Sequence, residues 1–365
     1  MRVLHQLVPN FAAGDAIGTH VRQTQATLRA AGWESEIFYD EAQAGVRKLG
    51  RHFCTFDNHH DGHDGAAWLL FQLSTGSRLT GWVMEAGLPF GVYFHNVTPP
   101  SYFERWEPGA AENLRTALAD VRRLAPLARF ALANSTFTDG DLRQAGYEPT
   151  AVVPVLIDVK QLDDPPNERL LRRLGREGGQ GGRRWLFVGR TAPNKCQHDL
   201  IAAFAAYRTV YDPQARLTLV GGRTSNVYYR SLELLAEELE VGGAVEFTDT
   251  ITHGELLACY RAADVFVCLS EHEGFKVPLV EAMHLGVPVV AYAASAVPET
   301  VGDAGVVLDS KDPMVVATAV DRVLGDEALR AELVAAGHRR VEEFSPERTS
   351  RRLLDVLERF AGTGG

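Results

Sequence analysis

The sequence predicts an α/β protein made of two doubly wound domains, and three observations carry that prediction. The chain has 365 residues, which is too long for one typical core and sufficient for two. Short apolar runs alternate with helical patterns, and this alternation starts twice. A proline- and glycine-rich stretch lies between the two series. The predicted division is an N-terminal domain at 1–160, a linker at 161–183, a C-terminal domain at 184–345, and a final helix and tail at 346–365 that is left open to pack back on the N-terminal domain.

The first domain begins with an apolar run over residues 2–8 that fits a buried strand. A glycine-containing loop follows, and a helical pattern then runs from Thr19 to Ala31. Gly14 and Gly18 could let the backbone approach a phosphate or an acceptor, although their spacing is not the dinucleotide fingerprint. An ordinary strand-to-helix turn explains these glycines equally well. Further strands are predicted at 36–39, 68–73, 91–94, 130–133 and 151–157.

A histidine follows one of these strands at the position where ligands gather in doubly wound domains. His95 comes directly after the strand at 91–94, and Asn96, Thr98 and two prolines follow it. An imidazole there could respond to charge that develops in a reaction, or it could be structural. The residues alone leave both interpretations open.

The polar stretch at 57–64, DNHHDGHD, has the composition of a metal site but not its spacing. Its residues are consecutive in a loop, whereas metal ligands are usually separated. A solvated loop is therefore the favoured interpretation. No DxD pair stands beside a predicted strand end, so we expect no required metal.

The second domain starts afresh with a strand at 185–188, followed by the loop GRTAPNK and a helix from about 199 to 211. Arg190 and Lys195 lie on this loop, where two cations near a helix start would suit a diphosphate. Solvated surface cations are the alternative. Further strands are predicted at 217–220, 245–247, 265–269 and 287–292, with helices near 227–241, 254–263 and 279–285. From Pro313 to Phe360 the pattern is helical, with breaks near 325 and 346.

The most informative stretch is EHEGFKVPLVEAM, Glu271–Met283, which contains two acids eight positions apart. Gly274 permits close backbone approach, and Pro278 suits the first turn of a helix. Such a helix start favours a phosphate, and Glu281 could accept hydrogen bonds from sugar hydroxyls. Taken alone, the stretch is equally compatible with an ordinary loop in which Glu281 complements the helix dipole.

Composition excludes several classes of function. The formal net charge of −10 argues against nucleic acid as a general partner. The four cysteines lack zinc-like spacing and fit buried free thiols in a reducing cytosol. The N-terminus lacks the pattern of a signal peptide, and no apolar run approaches the ~20 residues that cross a bilayer, so we expect a cytoplasmic protein. A basic amphipathic helix at 121–129 leaves peripheral contact with the inner membrane face open, but an ordinary surface helix is favoured.

Taken together, several ligand-type loops stand at strand ends of one domain, and at this point the sequence resembles a known family. It is similar to the retaining nucleotide-sugar glycosyltransferases of the GT-B fold, family four in the usual sequence classification. The resemblance covers the whole second domain, and first-domain loops support it. The segments that carry it are FVGRTAPNK (187–195), LVGG (219–222), ADVFVCLSEHEGFKVPLVEAMHLGVPVVAY (263–292) and VPETVGDAGVVLD (297–309), with GDAIGTHV (14–21), STGS (74–77), YFHNVTPPSYF (93–103), LANSTF (132–137) and PVLID (154–158) in the first domain.

This resemblance implies two Rossmann-like domains facing each other across a cleft, and a role for each candidate residue. Arg190 and Lys195 would neutralise the donor diphosphate. Glu281 would accept both ribose hydroxyls, and main-chain contacts near Ile251 would hold the base. His95 and Glu273 would be the catalytic pair, with His95 on a sugar hydroxyl and Glu273 beside the transferred sugar. The remaining donor contacts would come from the backbone at Gly14, Gly274, Phe275 and Lys276.

The predicted reaction is transfer of a sugar from a nucleoside-diphosphate donor to a hydroxyl acceptor with retention, without a metal or other cofactor. Departing phosphate would take the acceptor proton, because no second carboxylate is evident for a double displacement. A sugar, a glycolipid precursor or a small molecule would serve as acceptor. The alternatives are a GT-B nucleotide-sugar isomerase or hydrolase, and a non-catalytic nucleotide-sugar binder. Product analysis separates these.

The chain departs from the family pattern at four positions. Lys276 stands where a small residue is usual, so a long cation there could add a phosphate contact or alter donor choice. Gln72 replaces an expected histidine, and Ser295 and Asp249 replace frequent glycines. These departures leave the donor nucleotide, the sugar and the acceptor unspecified.

Overall fold

The computed structural model describes residues 2–12, 14–57, 67–178 and 182–361, with the side chains of 176–178 excepted. Within these ranges the chain forms two compact units, each with its own parallel sheet. Unit 1 comprises Met1–Glu104, Pro108–Asp158 and Phe344–Gly365, and unit 2 comprises Arg105–Glu107 and Val159–Glu343. The metal-like stretch at 57–64 falls outside the described residues except for Asp57.

Unit 1 contains a seven-stranded sheet whose paired strands all run parallel. The spatial order is β3-β2-β1-β4-β5-β6-β7, so the direction of winding reverses between β1 and β4. Ligands of doubly wound sheets bind at such a reversal, beyond the carboxyl ends of the strands. The strands are β1 Val3–Phe11, β2 Ile37–Ala42, β3 Arg51–His52, β4 Ala67–Leu73, β5 Phe90–Phe94, β6 Phe130–Ala133 and β7 Thr150–Val152.

Helices cover the sheet of unit 1, and the last helix of the chain is one of them. Leu353 and Leu357 on that helix are fully buried in one cluster with Leu4, Leu70 and Tyr93 of the sheet. The apolar stripe of the helix therefore completes the core of unit 1 although it lies almost 200 residues after the rest of that core. The helices are α1 Ala16–Ala30, α2 Leu79–Glu85, α3 Pro108–Leu124, α4 Thr136–Gln144 and the terminal helix Pro346–Ala361.

Unit 2 contains a six-stranded parallel sheet with the order β10-β9-β8-β11-β12-β13. Winding reverses between β8 and β11, which are neighbours. Trp185, Phe187, Phe266 and Val267 on these two strands are buried, as expected for a sheet covered on both faces. The strands are β8 Arg184–Val188, β9 Arg216–Val220, β10 Val245–Phe247, β11 Val265–Cys268, β12 Val289–Tyr292 and β13 Gly305–Leu308.

The helices of unit 2 follow its strands in the alternation that the sequence predicts. Most begin with a side-chain cap: Thr252, for example, forms a reciprocal capping box with Glu255. The helices are α5 Glu168–Gly178, α6 Gln197–Val210, α7 Asn226–Glu238, α8 His253–Ala262, α9 Val277–His284, α10 Val297–Val301, α11 Pro313–Gly325 and α12 Glu327–Val341; the terminal helix of unit 1 is then α13.

Three predicted elements differ from the structure. The strand predicted at 151–157 ends at Val152, because Pro154 lacks the N–H that a ladder needs. The segment predicted as a linker contains helix α5. Leu174 of this helix is buried, and its backbone carbonyl accepts a hydrogen bond from the Arg184 side chain of β8 at 3.2 Å. The basic helix proposed at 121–129 ends at Leu124, and both Val121 and Leu124 are buried.

None of the described helices combines the length and the apolar character that crossing a bilayer would require.

Candidate active site

Two loops flank the reversal point of the unit 2 sheet, and together they carry most of the predicted donor residues. The loop after β8 contains Arg190 and Lys195, and the loop after β11 contains Glu273, Gly274 and Lys276. Because β8 and β11 are adjacent and parallel, both loops leave the same edge of the sheet. The asparagine of the first loop fastens them together: Asn194 donates to the carbonyl of His272 at 3.0 Å and accepts from Glu271 N–H at 3.0 Å through its own carbonyl.

Glu273 lies between two lysines. Lys195 Nζ donates to Glu273 Oε2 at 2.6 Å, and Lys276 Nζ lies 3.2 Å from Oε1. All three side chains are largely buried, with exposed fractions of 15% for Lys195, 7% for Glu273 and 3% for Lys276. The cluster therefore carries one more positive than negative charge in a poorly solvated position. Such a surplus favours an anionic ligand.

The electrostatics of the cluster keep Glu273 ionised. Burial opposes its ionisation, but the charges of Lys195 and Lys276 and hydrogen bonds from Lys195 and Ser270 lower the pKa of Glu273 to about 2. Burial also lowers the pKa of Lys195, and the charges of Lys276 and Arg190 act in the same direction, whereas Glu273 opposes them. A carboxylate held charged here can stabilise developing positive charge or accept a hydrogen bond.

Lys276 has an unusual backbone conformation, and its ammonium group contacts three neighbouring residues. Its φ of 71° lies in the left-handed region, where a non-glycine residue is uncommon. This conformation ends the loop and caps α9, and it turns the side chain inward. Nζ donates to the carbonyl of Val188 at 3.0 Å and lies 4.4 Å from the ring centroid of Phe187. Lys276 thus joins the end of β8 to Glu273.

Gly189 makes room for that ammonium group. A Cβ at Gly189 would lie 2.9 Å from Lys276 Nζ, and its φ of 156° is unfavourable for other residues. Gly221, which follows β9, is equally constrained: a Cβ there would lie 2.2 Å from the carbonyl oxygen of Gly189. The glycines after adjacent strands therefore allow two backbone segments and the Lys276 ammonium group to meet at one point.

Arg190 is the exposed cation of this edge. Its carbonyl accepts from Gln197 Nε2 at 3.0 Å, which fixes the backbone. Within the described ranges its guanidinium forms no ion pair, in contrast to Lys195. The charge of Arg190 acts on Lys195, so the two cations lie in one electrostatic neighbourhood.

Glu281 lies in the second turn of α9 and accepts a hydrogen bond from a tyrosine. Tyr260 OH, on α8, donates to Glu281 Oε2 at 2.6 Å and lies 3.4 Å from the carbonyl of Pro278. Burial raises the pKa of Glu281, although the hydrogen bond from Tyr260 and the charge of Lys276 oppose that shift. Oε1 is the oxygen that Tyr260 leaves for other donors. Pro278 takes its place in the first turn, as predicted.

Ile251 is half-buried in the segment between β10 and α8. The preceding residue, Thr250, approaches Gly222, where an added Cβ would lie 3.0 Å from Thr250 Oγ1. Nearby, Nε and Nη2 of Arg223 donate to the two carboxylate oxygens of Asp249 at 2.9 and 3.1 Å. The Arg223 guanidinium also lies 3.7 Å from the Tyr229 ring centroid. Asp249, which replaces an expected glycine, thus holds an arginine at this end of the sheet.

In unit 1, Gly14 follows β1 and His95 follows β5. Gly14 is exposed with a φ of 76°, and Asp15 then caps α1 by accepting from Gly18 N–H at 2.5 Å. His95 is half-buried, with Nε2 2.7 Å from Gln72 Oε1. Burial lowers the pKa of His95 to about 3, so the imidazole is neutral at physiological pH.

One group of described residues has the donor atoms of a metal site. Ligand atoms of Cys196, His198 and Asp199 lie within 4.8 Å of one another. Other contacts engage them: Asp199 pairs with Lys311 at 2.5 Å, and His198 Nδ1 lies 2.9 Å from Tyr228 OH. Burial raises the pKa of the Cys196 thiol to about 12, which disfavours the thiolate that a metal needs.

Sequence reasoning assigned no contact to three residues that hold the predicted site residues in place. Tyr260 orients Glu281, Ser295 Oγ accepts from Glu273 N–H at 2.8 Å, and Gln72 contacts His95. Tyr260 lies within the apolar pattern of α8, and no motif marked it. A signal did exist for Ser295 and Gln72, because both replace residues that the family pattern predicts. Ser295 has a φ of 48°, which accounts for the glycine expected there.

Comparison with known proteins shows which family the second half of the chain is similar to. The family model described as "Glycosyl transferases group 1" matches residues 179–340, which include both loops of the reversal point. Residues 179–340 are therefore similar to the group 1 glycosyltransferases. The match contains every site residue named in unit 2.

Curated relatives align with the group 1 segment and its surroundings. A "D-inositol 3-phosphate glycosyltransferase" of Salinispora arenicola is 39% identical over 178 residues, which cover 47% of this chain and 40% of the relative. One of Geodermatophilus obscurus is 38% identical over 216 residues, covering 56% and 46%. The chain therefore matches less than half of the length of these relatives.

Solved structures match the whole chain and establish its fold. Sucrose-phosphate synthase from Thermosynechococcus elongatus superposes with a TM-score of 0.77 at 23% identity, covering 99% of this chain and 100% of that one. HepE of Anabaena, in complex with UDP and glucose, gives 0.77 at 18% identity, covering 98% and 100%. The chain has the GT-B fold, which confirms the predicted fold class.

Proposed function

We propose that the protein is a glycosyltransferase that moves a sugar from a nucleoside-diphosphate donor to a hydroxyl acceptor with retention of configuration. One observation carries the proposal: Lys195 and Lys276 enclose Glu273 at the reversal point of the unit 2 sheet. This arrangement offers cationic charge for a diphosphate and an ionised carboxylate for a sugar that gains positive charge. Both are needed when the bond between sugar and phosphate breaks.

In this proposal Lys195 changes partner when the donor binds. Its side chain is 15% exposed. The ammonium group leaves Glu273 for the diphosphate, and exposed Arg190 binds the same group. Lys276 stays with Glu273, because Val188 and Phe187 hold its ammonium. Glu273 thus keeps a cation beside it, and its carboxylate is released toward the transferred sugar.

The remaining donor contacts follow from the loop geometry. The carboxylate of Glu281 accepts hydrogen bonds from the ribose hydroxyls. Oε1 is open for them, because Tyr260 donates to Oε2. Backbone N–H groups at the start of α9, from Gly274, Phe275 and Lys276, bind phosphate or sugar oxygens. The backbone near Ile251 holds the base. In unit 1, the exposed turn at Gly14 lies at the reversal point, where a close backbone approach to ligand is sterically free.

For the chemical step, the proposal gives the acceptor proton to the departing phosphate. Among the described residues, Glu273 is the only carboxylate in an ion pair with Lys195 or Lys276, so we assign it charge stabilisation and not nucleophilic attack. His95 is neutral and hydrogen-bonds a hydroxyl. The lysines and Arg190 supply the positive charge that other transferases take from a metal ion, and we therefore propose that no metal is required.

The names of similar proteins suggest which ligands to test first. Solved neighbours include HepE of Anabaena in complex with UDP-glucose, and the curated relatives are named for inositol 3-phosphate. We propose a uridine- or guanosine-diphosphate sugar as donor and a small polyol, sugar or sugar phosphate as acceptor. A glycolipid precursor is the second acceptor class.

Product analysis tests the reaction class. The protein is incubated with nucleotide sugars, with and without a pool of polyol and sugar-phosphate acceptors, and products are identified by mass spectrometry. A glycosylated acceptor formed only when acceptor is present supports transfer. Free sugar or an isomerised nucleotide sugar without acceptor would instead identify the hydrolase or isomerase alternative, and nucleotide binding without any turnover would identify a non-catalytic binder.

Lys195→Ala tests whether the cluster of Lys195, Glu273 and Lys276 binds the diphosphate. We expect its transfer rate to fall by on the order of 10²–10³, because one charge-stabilising group is lost from the transition state. Lys48→Ala removes an exposed lysine of unit 1 and should retain wild-type rates. A Lys195→Ala enzyme with wild-type turnover would show that the diphosphate does not bind at this loop.

A further inference from the structure

A chain of three side chains in unit 1 ends at His95. Gln6 on β1, Gln72 on β4 and His95 after β5 come from neighbouring strands of one sheet. Gln6 and Gln72 are both completely buried. Gln6 Nε2 lies 2.9 Å from the carbonyl of Val21, Gln72 Nε2 lies 2.8 Å from Gln6 Oε1, and His95 Nε2 lies 2.7 Å from Gln72 Oε1.

The far end of the chain fixes the direction of every hydrogen bond in it. A backbone carbonyl can only accept, so the group of Gln6 that faces Val21 must be the NH₂. Its carbonyl oxygen then faces Gln72 and accepts, which requires the NH₂ of Gln72 on that side. The oxygen of Gln72 is left facing His95. A flip of either amide would put two acceptors against each other in a buried position.

This direction determines where the proton of His95 lies. Since Gln72 presents an oxygen, His95 Nε2 must carry a hydrogen and donate. In the neutral ring, Nδ1 is then an acceptor. Among the described residues Nδ1 has no hydrogen-bond partner, and His95 is half-buried, so this nitrogen is left for solvent or a ligand. The ring is neutral because burial lowers its pKa to about 3.

The aromatic neighbours of His95 hold the ring in place without competing for its nitrogens. Tyr93 lies 4.7 Å and His20 5.1 Å from it between ring centroids. Their polar atoms are occupied elsewhere: Tyr93 OH donates to the carbonyl of Val153 at 2.6 Å, and His20 Nδ1 accepts from Leu156 N–H at 3.0 Å. The tautomer of His95 is thus decided by the glutamine chain.

We propose that Gln6 and Gln72 are positioning residues that lock His95 in the Nε2–H tautomer and leave Nδ1 as a hydrogen-bond acceptor. The ligand group that meets Nδ1 must then carry a proton to donate. A hydroxyl fits, whereas a phosphate or carboxylate oxygen is repelled by the nitrogen lone pair. The assignment of this hydroxyl to a sugar rests on the proposed function. The assignment of the tautomer rests on the hydrogen bonds alone.

Nitrogen NMR of the ligand-free protein tests the proposal. The twelve histidines are labelled with ¹⁵N in the ring, and long-range ¹H–¹⁵N correlations report which nitrogen of each ring is protonated. The His95 signals are assigned by their loss in His95→Gln. At pH 7 we expect Nε2 to be protonated and Nδ1 to be unprotonated. A protonated Nδ1, or an average of the two tautomers, would overturn the proposal whatever reaction the protein catalyses.

Gln6→Met tests the glutamine chain itself, because the hydrogen bonds of the Gln6 side chain among the described residues go to Val21 and Gln72 and not to His95. Without its oxygen, the amide of Gln72 is free to flip, and the Nδ1–H tautomer of His95 should appear. Gln25→Met is the matched control: it removes a glutamine that donates to the carbonyl of Ser35 at 3.0 Å and should leave the tautomer unchanged. A Gln6→Met protein with a pure Nε2–H signal would exclude Gln6. Should that variant not fold, Gln72→Met and the wild-type spectrum still decide.

Discussion

At Glu273, burial and neighbouring charges act on the pKa in opposite directions. Its carboxylate is 7% exposed and would be costly to ionise alone. Two lysines reverse that preference, and one of them, Lys276, is absent from the expected family pattern. The family resemblance suggested that Lys276 could contact a phosphate, whereas its side chain is 3% exposed and its ammonium group contacts Val188 and Glu273. We therefore attribute to it the electrostatic support of Glu273.

Lys276→Met tests this attribution. Removing the cation while keeping the length of the side chain should raise the pKa of Glu273 by about one unit, the scale for loss of one close opposite charge. The measurement is a ¹³C NMR titration of the Glu273 carboxyl, assigned with Glu273→Gln. Lys48→Met serves as control, since that lysine is exposed in unit 1. An unchanged or lower pKa would mean that Lys276 does not support the carboxylate.

The sign of the accompanying pH effect follows from linkage. The pKa of Glu273 is lower in the folded protein than its ordinary value of 4.5, so its ionisation stabilises the fold fully above that value. The contribution is lost as the pH falls from about 4.5 to about 2. In Lys276→Met the loss should be smaller, because the folded pKa lies closer to the ordinary one.

The elements were largely predictable because their signals are local. Apolar runs of four to seven residues located most strands of both sheets, and the prolines at 278 and 313 marked helix starts correctly. The two-residue strand β3 gives no pattern of its own and was missed. So was β13, whose residues are only half-buried at the edge of the unit 2 sheet. Helix α5 was predicted only as a charged helical turn within the linker, because it lies between Pro166 and a glycine run.

The candidate site was predictable in its residues but not in its internal contacts. Strand-end position and residue type pointed to His95, Lys195, Glu273 and Glu281. The pairing of Gln6 with Gln72, by contrast, joins residues 66 positions apart in the chain. Neither the period of a strand nor a short motif encodes such a contact, because it depends on which strands are neighbours in the folded sheet.

At the scale of elements, the loop after β8 depends on Gly189. We expect Gly189→Ala to destabilise the protein by about 1–3 kcal/mol, because its φ of 156° strains alanine and the new Cβ would crowd Lys276 Nζ. Chemical denaturation measures the free energy of unfolding. Gly175→Ala, in helix α5, provides the control: nothing lies within 4 Å of its added Cβ, so it should be neutral or stabilising by up to about 1 kcal/mol. Equal effects of both substitutions would contradict the steric account.

At the scale of the whole molecule, two units with the same winding pattern carry different chemistry. Unit 2 presents cations and carboxylates at its reversal point. Unit 1 has a neutral histidine after β5 that is fixed by buried amides. This difference follows from a few strand-end residues on similar sheets, which is why the fold could be predicted more fully than the donor sugar or the acceptor.

The central claim is that the reversal point of unit 2 binds a nucleoside diphosphate, and calorimetry tests it most directly. Nucleoside diphosphates and UDP-glucose are titrated, with a chelator present, into the wild type, Lys195→Ala, Arg190→Ala and the control Lys48→Ala. The account predicts that at least one diphosphate binds wild type and Lys48→Ala alike, and about 10- to 100-fold more weakly to the other two, as expected for losing a charged hydrogen bond. Equal affinity in all four proteins, or no binding to any of them, would contradict it.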